Sequence, residues 1–154
     1  MAAGVSLTSE HGVGRIDVQI DGEARNFDII GGIEAGTGWV DQGPRRTVTL
    51  MGRDATGADS GIKIRFLMDA ESRQVRCSPA DTILEYRQGG AIHRLNPGPE
   101  CGALSLDTIE TADDGMTLHL EGRFAGRFEG LGDNPAAYTA RNGRFRADVA
   151  PFGR

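Results

Sequence analysis

Few side chains in this sequence are of a type that does chemistry, and they are widely spaced. Three histidines (His11, His93, His119), two cysteines (Cys77, Cys101) and one tryptophan (Trp39) are the scarce ones. Zinc needs ligands that converge, usually at close Cys-x-x-Cys or His-x-x-x-His intervals, and neither interval occurs. Calcium takes oxygen ligands. "DATGADSG" at 54–61 offers Asp54, Thr56, Asp59 and Ser60, and "GLGDNP" at 130–135 offers Asp133 and Asn134. Neither stretch has EF-hand spacing, and Asp, Asn and Gly are also ordinary turn residues. The reading is no metal site.

Nucleophilic and phosphate chemistry find no better support. There is no Gly-x-Ser-x-Gly elbow, and Ser78 sits between Cys77 and Pro79 in what reads as a turn. "GGIEAGTG" at 31–38 lacks the Lys-Ser/Thr ending of a phosphate loop. The 22 acidic residues allow many carboxylate pairs, but nothing in their spacing selects one. The expectation is no catalytic residue, no cofactor and no enzyme. What stands out is two loops richer than a plain hairpin needs, "AGTGWVDQGP" and "DATGADSG". If they meet, Trp39, Asp41, Asp54 and Asp59 share a concave ligand site, with Trp39 as a sugar-stacking platform. The competing reading packs Trp39 at the edge of a core.

The elements that position these residues are strands. Period-2 alternation recurs along the chain and no long 3.6-residue period does. "RIDVQI" puts Ile16, Val18 and Ile20 on one face, and "DG" at 21–22 turns it into "ARNFDII". "RRTVTLM", "IKIRFLM", "RQVRC", "TILEYR", "AIHRL" and "ALSLDTI" follow, separated by turn residues. From Met116 the even positions Leu118, Leu120, Phe124 and Phe128 are apolar, while the odd positions His119, Glu121, Arg123, Arg127 and Glu129 are charged or polar. Gly-Arg-Phe occurs at 122–124, 126–128 and 143–145. This is strand grammar: glycine for curvature, phenylalanine for core, arginine for solvent.

Composition agrees. The 154 residues suit one domain, 1–154, and the 23 glycines suit many turns. A net charge of −5 argues against nucleic-acid binding, and no stretch is apolar enough for a membrane helix, so no membrane insertion is expected. Lys63 is the sole lysine among 17 basic residues. The N-terminus does not read as a signal peptide. The two cysteines enclose residues 78–100; bridging them would contribute about 3–3.5 kcal/mol through loop closure. Two readings stay open: buried thiols in a cytosolic protein, or a bridge in an exported one.

Cys101, followed by a strand, then Gly122, Phe124 and Gly126, then Asn142, Gly143 and Phe145, form a pattern over residues 100–150. It resembles the C-terminal part of small secreted bacterial β-sandwich proteins, among them lipoprotein-like domains of unknown function. The resemblance implies a cell-envelope sandwich, favours the Cys77–Cys101 bridge, and brings no catalytic residue. The combined expectation is a single antiparallel β-sandwich of about eight to ten strands, with closure toward a barrel as its variant. Its function is expected to be a non-enzymatic binding or structural module, periplasmic or extracellular, with a protein or glycan partner. The alternatives are a small-molecule or carbohydrate carrier with a cavity lined by Trp39, and a subunit of an extracellular assembly formed by edge-strand pairing.

Overall fold

A computed structural model describes residues 11–32, 34–72, 74–76, 78, 80–98, 101–132 and 136–152. Eleven strands run through these residues: β1 (His11–Ile20), β2 (Glu23–Gly31), β3 (Gly38–Gln42), β4 (Arg45–Asp54), β5 (Ser60–Asp69), β6 (Val75–Arg76), β7 (Ile83–Gln88), β8 (Ala91–Leu95), β9 (Leu104–Thr111), β10 (Leu118–Gly130) and β11 (Ala137–Val149). All pair antiparallel in one sheet. Eight of them close on themselves in the order β4-β2-β1-β11-β10-β8-β7-β5, because β5 pairs back with β4. Of the two expected forms the sandwich gives way to its variant, a closed barrel, with β3, β6 and β9 outside the ring and eleven strands where eight to ten were expected. Closure removes the sheet edges that a sandwich keeps.

Alternation decides what lies inside. Ile16, Phe27, Ile29, Leu50, Ile64, Leu84, Tyr86, Leu118 and Phe128 are fully buried. Their strand neighbours Asp17, Arg53, Arg87, Glu129 and Arg146 face outward and are exposed. An apolar interior with a charged exterior is the reverse of a transmembrane barrel. The "DG" turn is a two-residue hairpin with Asp21 and Gly22 both at positive φ, the geometry that matches strand twist.

The repeated triplets have a structural explanation. In the β10–β11 register Gly122 lies opposite Phe145, Arg123 opposite Arg144 and Phe124 opposite Gly143. The third triplet is the antiparallel partner of the first, and each phenylalanine ring covers the other strand's glycine. A Cβ at Gly122 would lie 2.4 Å from the Phe145 ring, and one at Gly143 would lie 2.8 Å from the Phe124 ring. The middle triplet has another task. The register slips between Phe124 and Gly126, where β10 gives up β9 as its neighbour and takes β8. Gly126 holds φ at +150° there, against the Leu95 side chain.

The barrel has two ends. The β1–β2, β4–β5 and β7–β8 turns, with the end of β10 and the start of β11, lie at the hairpin end. The start of β1, the β9–β10 turn and the residues after β11 form the terminal end.

Candidate functional site

The structure separates the residues expected to share a site. Trp39 lies opposite Val48 and Asp41 opposite Arg46, in the half of β4 nearer the terminal end. Asp54 closes β4 at the hairpin end, and Asp59 lies in the loop beyond it. Six residues of strand between Val48 and Asp54 amount to about 20 Å. The two loops do not meet.

Trp39 acts as a lid on the terminal end. Its indole N–H donates to the Met116 carbonyl at 2.9 Å, and its backbone bonds the Ala150 carbonyl and the Phe152 amide. The Arg46 guanidinium stacks 3.7 Å from the ring centroid and is itself held by both Asp41 carboxylate oxygens, at 2.7 and 3.1 Å. One ring face is therefore already covered by the protein's own cation. Trp39 also packs against the core cluster, which is the edge-of-core placement weighed from the sequence.

Asp54 anchors a polar plug at the hairpin end. Its Oδ1 accepts from the Thr56 amide at 2.8 Å and the Thr56 hydroxyl at 2.6 Å. Its Oδ2 accepts from Arg25 at 2.7 Å and Ser60 at 2.8 Å. Burial alone would raise this carboxyl's pKa. The hydrogen bonds from Thr56, Arg25 and Ser60 together outweigh it and hold the group well below the usual carboxylate range. Arg25 also donates to the Tyr86 hydroxyl at 3.3 Å, and Tyr86 bonds Gln88. Burial pushes the Tyr86 hydroxyl's pKa up. His93 is buried beside this plug, its ring 4.8 Å from that of Tyr138 and 6.3 Å from that of Tyr86. His93 lies in the β7–β8 hairpin, on the face of β8 that points inward. Arg25 carried a signal that could have exposed the plug, since it shares its strand face with Phe27 and Ile29. An arginine at such a position demands a buried acid.

Cys101 is buried in the β8–β9 connection, with its sulfur 3.7 Å from the Thr82 hydroxyl. Cys77, like Asp133 and Asn134, lies outside the described residues. No group of three or more His, Cys, Asp and Glu side chains able to hold a metal occurs among the described residues.

Open concave space lies on the outer surface. A groove of about 540 Å³ crosses β1, β11, β10 and β9, lined by Arg15, Asp17, Asp107, Glu121, Arg123, Arg144 and Arg146 with Gly122 and Phe145. A second, of about 370 Å³, continues it past Arg123 and Arg144 to Asn142 and Ser105. A third, of about 500 Å³, lies outside β4, β5 and β7, lined by Asp54, Asp59, Lys63, Glu85 and Arg87 among others. Here Asp54 and Asp59 do share a concavity, but with Lys63 and not with Trp39.

The cross-strand order of the arginine groove was hidden in the sequence. Arg15 lies opposite Arg146, and Asp17 opposite Arg144, across β1 and β11. Arg123 lies opposite Arg144, and Glu121 opposite Arg146, across β10 and β11. Outward arginines are visible as odd positions of a strand. Their meeting depends on pairing two strands from opposite ends of the chain. No protein family, curated protein or solved structure matches this chain.

Proposed function

We propose that this protein is a non-enzymatic binding module of the bacterial cell envelope that meets its partner on the outer face of the barrel. One observation carries the reading. Buried apolar side chains form one cluster inside the barrel and the polar plug's residues bond to one another, whereas the two grooves of about 500 Å³ lie outside on exposed charged strands. A recognition surface needs open, rigidly presented side chains, and a closed barrel supplies them. The same observation weighs against the carrier alternative, whose ligand needs internal volume. Export rests on the resemblance and on the proposed Cys77–Cys101 bridge.

Equilibrium binding of purified envelope polysaccharides to the intact protein tests the reading, and saturable binding without turnover is expected. Hydrolysis of any of them would overturn the non-enzymatic part. No saturable binding to any would overturn the glycan part. Thiol titration of the unreduced, denatured protein is expected to find no reactive thiol; two reactive thiols would remove the bridge.

A specific feature favours a second reading, self-assembly by strand pairing. β9 pairs with β10 along one edge, and no strand occupies its other edge among the described residues. A mass that rises with concentration under native conditions would move the function to this reading.

A further inference from the structure

We infer that Arg144 and Arg146 form an oxyanion-binding site in the outer groove, which rests on the binding-module reading and names the chemistry of its ligand. The other charges there are already engaged. Arg123 is held by Asp107 through two parallel bonds of 2.9 Å. Arg15 is held by Asp17 at 2.8 Å. Glu121 and Asp148 are both taken by His119, at 2.9 and 2.8 Å. The acids directly opposite Arg144 and Arg146 are therefore bound elsewhere. Among the described residues, no carboxylate lies within ion-pair distance of Arg144 or Arg146, although both line the groove.

Each of these two arginines also has another arginine directly across from it, Arg123 for Arg144 and Arg15 for Arg146. Like charges placed opposite each other in a sheet are unfavourable. Here two such pairs lie on adjacent rungs around one groove. An oxyanion between them reverses the sign of both interactions.

The geometry suits that ligand. Arg144 and Arg146 are two residues apart on one strand face, so their stems leave the sheet roughly 7 Å apart. Guanidinium forks bind carboxylate, sulfate or phosphate oxygens in pairs. Phe145 between them turns inward and is only 3% exposed, so the groove offers no ring for stacking. Recognition is by charge and hydrogen bonding. Four arginines and three acids line the groove, a surplus of one positive charge on a chain of net charge −5, which suits a single anionic group and not a nucleic acid. Two sources share this chemistry, a free inorganic oxyanion and the acid groups of a saccharide chain. The chain would use the adjoining groove past Asn142 as well.

The test is calorimetric titration at fixed ionic strength with sodium sulfate, an oligogalacturonate and a neutral dextran oligomer. Wild type is expected to bind both anionic probes and not dextran. Arg144→Gln combined with Arg146→Gln should weaken both by at least about tenfold, with the unfolding transition unchanged. Arg127→Gln, outside the groove, should leave both within about twofold. Oligogalacturonate tighter than sulfate assigns the saccharide source; equal affinity assigns the free anion. No binding of either anion by wild type, or unchanged binding by the double variant, overturns the site. Two results separate this inference from the reading beneath it. Binding of a neutral envelope glycan without binding of these anions keeps the module and removes the oxyanion site. Binding of sulfate with no envelope glycan bound keeps the site and removes the glycan-binding module.

Discussion

Two outer faces of one barrel carry the same kinds of residue in opposite order. On the face of β5, β7, β8 and β10, successive cross-strand partners read Lys63, Glu85, Arg94, Glu129, alternating in sign at every step. Glu85 is 7% exposed despite pointing outward, within 3.4 Å of Arg94 and 3.9 Å of Arg87. On the face of β1, β11 and β10, arginine stands opposite arginine twice. The first face neutralises itself; on the second, Arg144 and Arg146 have no carboxylate within ion-pair distance among the described residues. Composition cannot tell these apart, because both are mixtures of arginine and acid. Cross-strand order does, and it separates a face of alternating sign from one where like charges stand opposite each other.

The largest effect concerns what supports the arginine face from below. Gly122 and Phe145 form its floor, with the ring filling the space a Cβ would need. Phe145→Ala should cost about 3–5 kcal/mol in denaturant unfolding. Gly122→Ala should cost about 1–3 kcal/mol, because the new methyl meets both the ring and the Ser105 carbonyl at 2.7 Å. A neutral Gly122→Ala would show that the groove floor is pliable, and the rigid presentation of the arginines would fall with it.

The two faces are then separated by their acids. Glu85→Gln leaves Lys63, Arg87 and Arg94 without their nearly buried counter-charge, and about 1–2 kcal/mol should be lost. Glu121→Gln on the arginine face should cost less than about 0.5 kcal/mol, since its side chain is half exposed. Equal losses would abolish the distinction.

His119, at the margin of the arginine face, sharpens it through pH. Its pKa is raised above the ordinary 6.5, first by the hydrogen bond to Glu121 and then by that to Asp148; burial acts the other way, and Glu110 faces it from β9. A raised folded pKa means that the protonated ring stabilises the fold. That contribution is complete below about pH 6.5 and disappears as pH rises through the folded pKa. With a third of the side chain exposed, it should stay below about 1 kcal/mol. Wild type compared with His119→Gln should differ more at pH 6 than at pH 8.5. A difference that grows with pH would mean that the ring is neutral in the fold.

Much of this fold was legible in the sequence, and the reasons are specific. Leu118, Leu120, Phe124, Phe128 and Phe145 fall inside, and Arg123, Arg127, Arg144 and Arg146 outside, because an alternation of two fixes faces before any partner is known. Closure could be named only as a variant of the sandwich, since sandwich and barrel strands alternate alike. What closes the ring is β4 giving one whole edge to β5 and dividing the other between β3 and β2, a matter of pairing alone. The proposed ligand residues divided for the same reason. Trp39 and Asp54 are near in sequence, and an extended strand carries near residues apart. Asp54 looked like a loop ligand because it precedes Ala-Thr-Gly; it is an inward strand position whose lone pairs Arg25, Ser60 and Thr56 occupy.

The smallest effect is the most telling for the comparison. Replacing Arg144 and Arg146 together by threonine should change unfolding free energy by less than about 0.5 kcal/mol in either direction. Neither side chain has an ion pair to lose among the described residues, both are exposed, and threonine suits an outer strand position. Removing them also relieves the two like-charge pairs with Arg123 and Arg15, which offsets the arginine stems' lost packing. The same substitution of Arg94 should be destabilising by a larger margin, because Glu85 would lose its 3.4 Å partner while staying nearly buried. Thermal and urea unfolding at low ionic strength would resolve the difference, and added salt should shrink it. A loss above about 1 kcal/mol for the Arg144 and Arg146 pair would mean that these residues hold the barrel together. They would then belong with the alternating face, and no surplus charge would be left for a ligand.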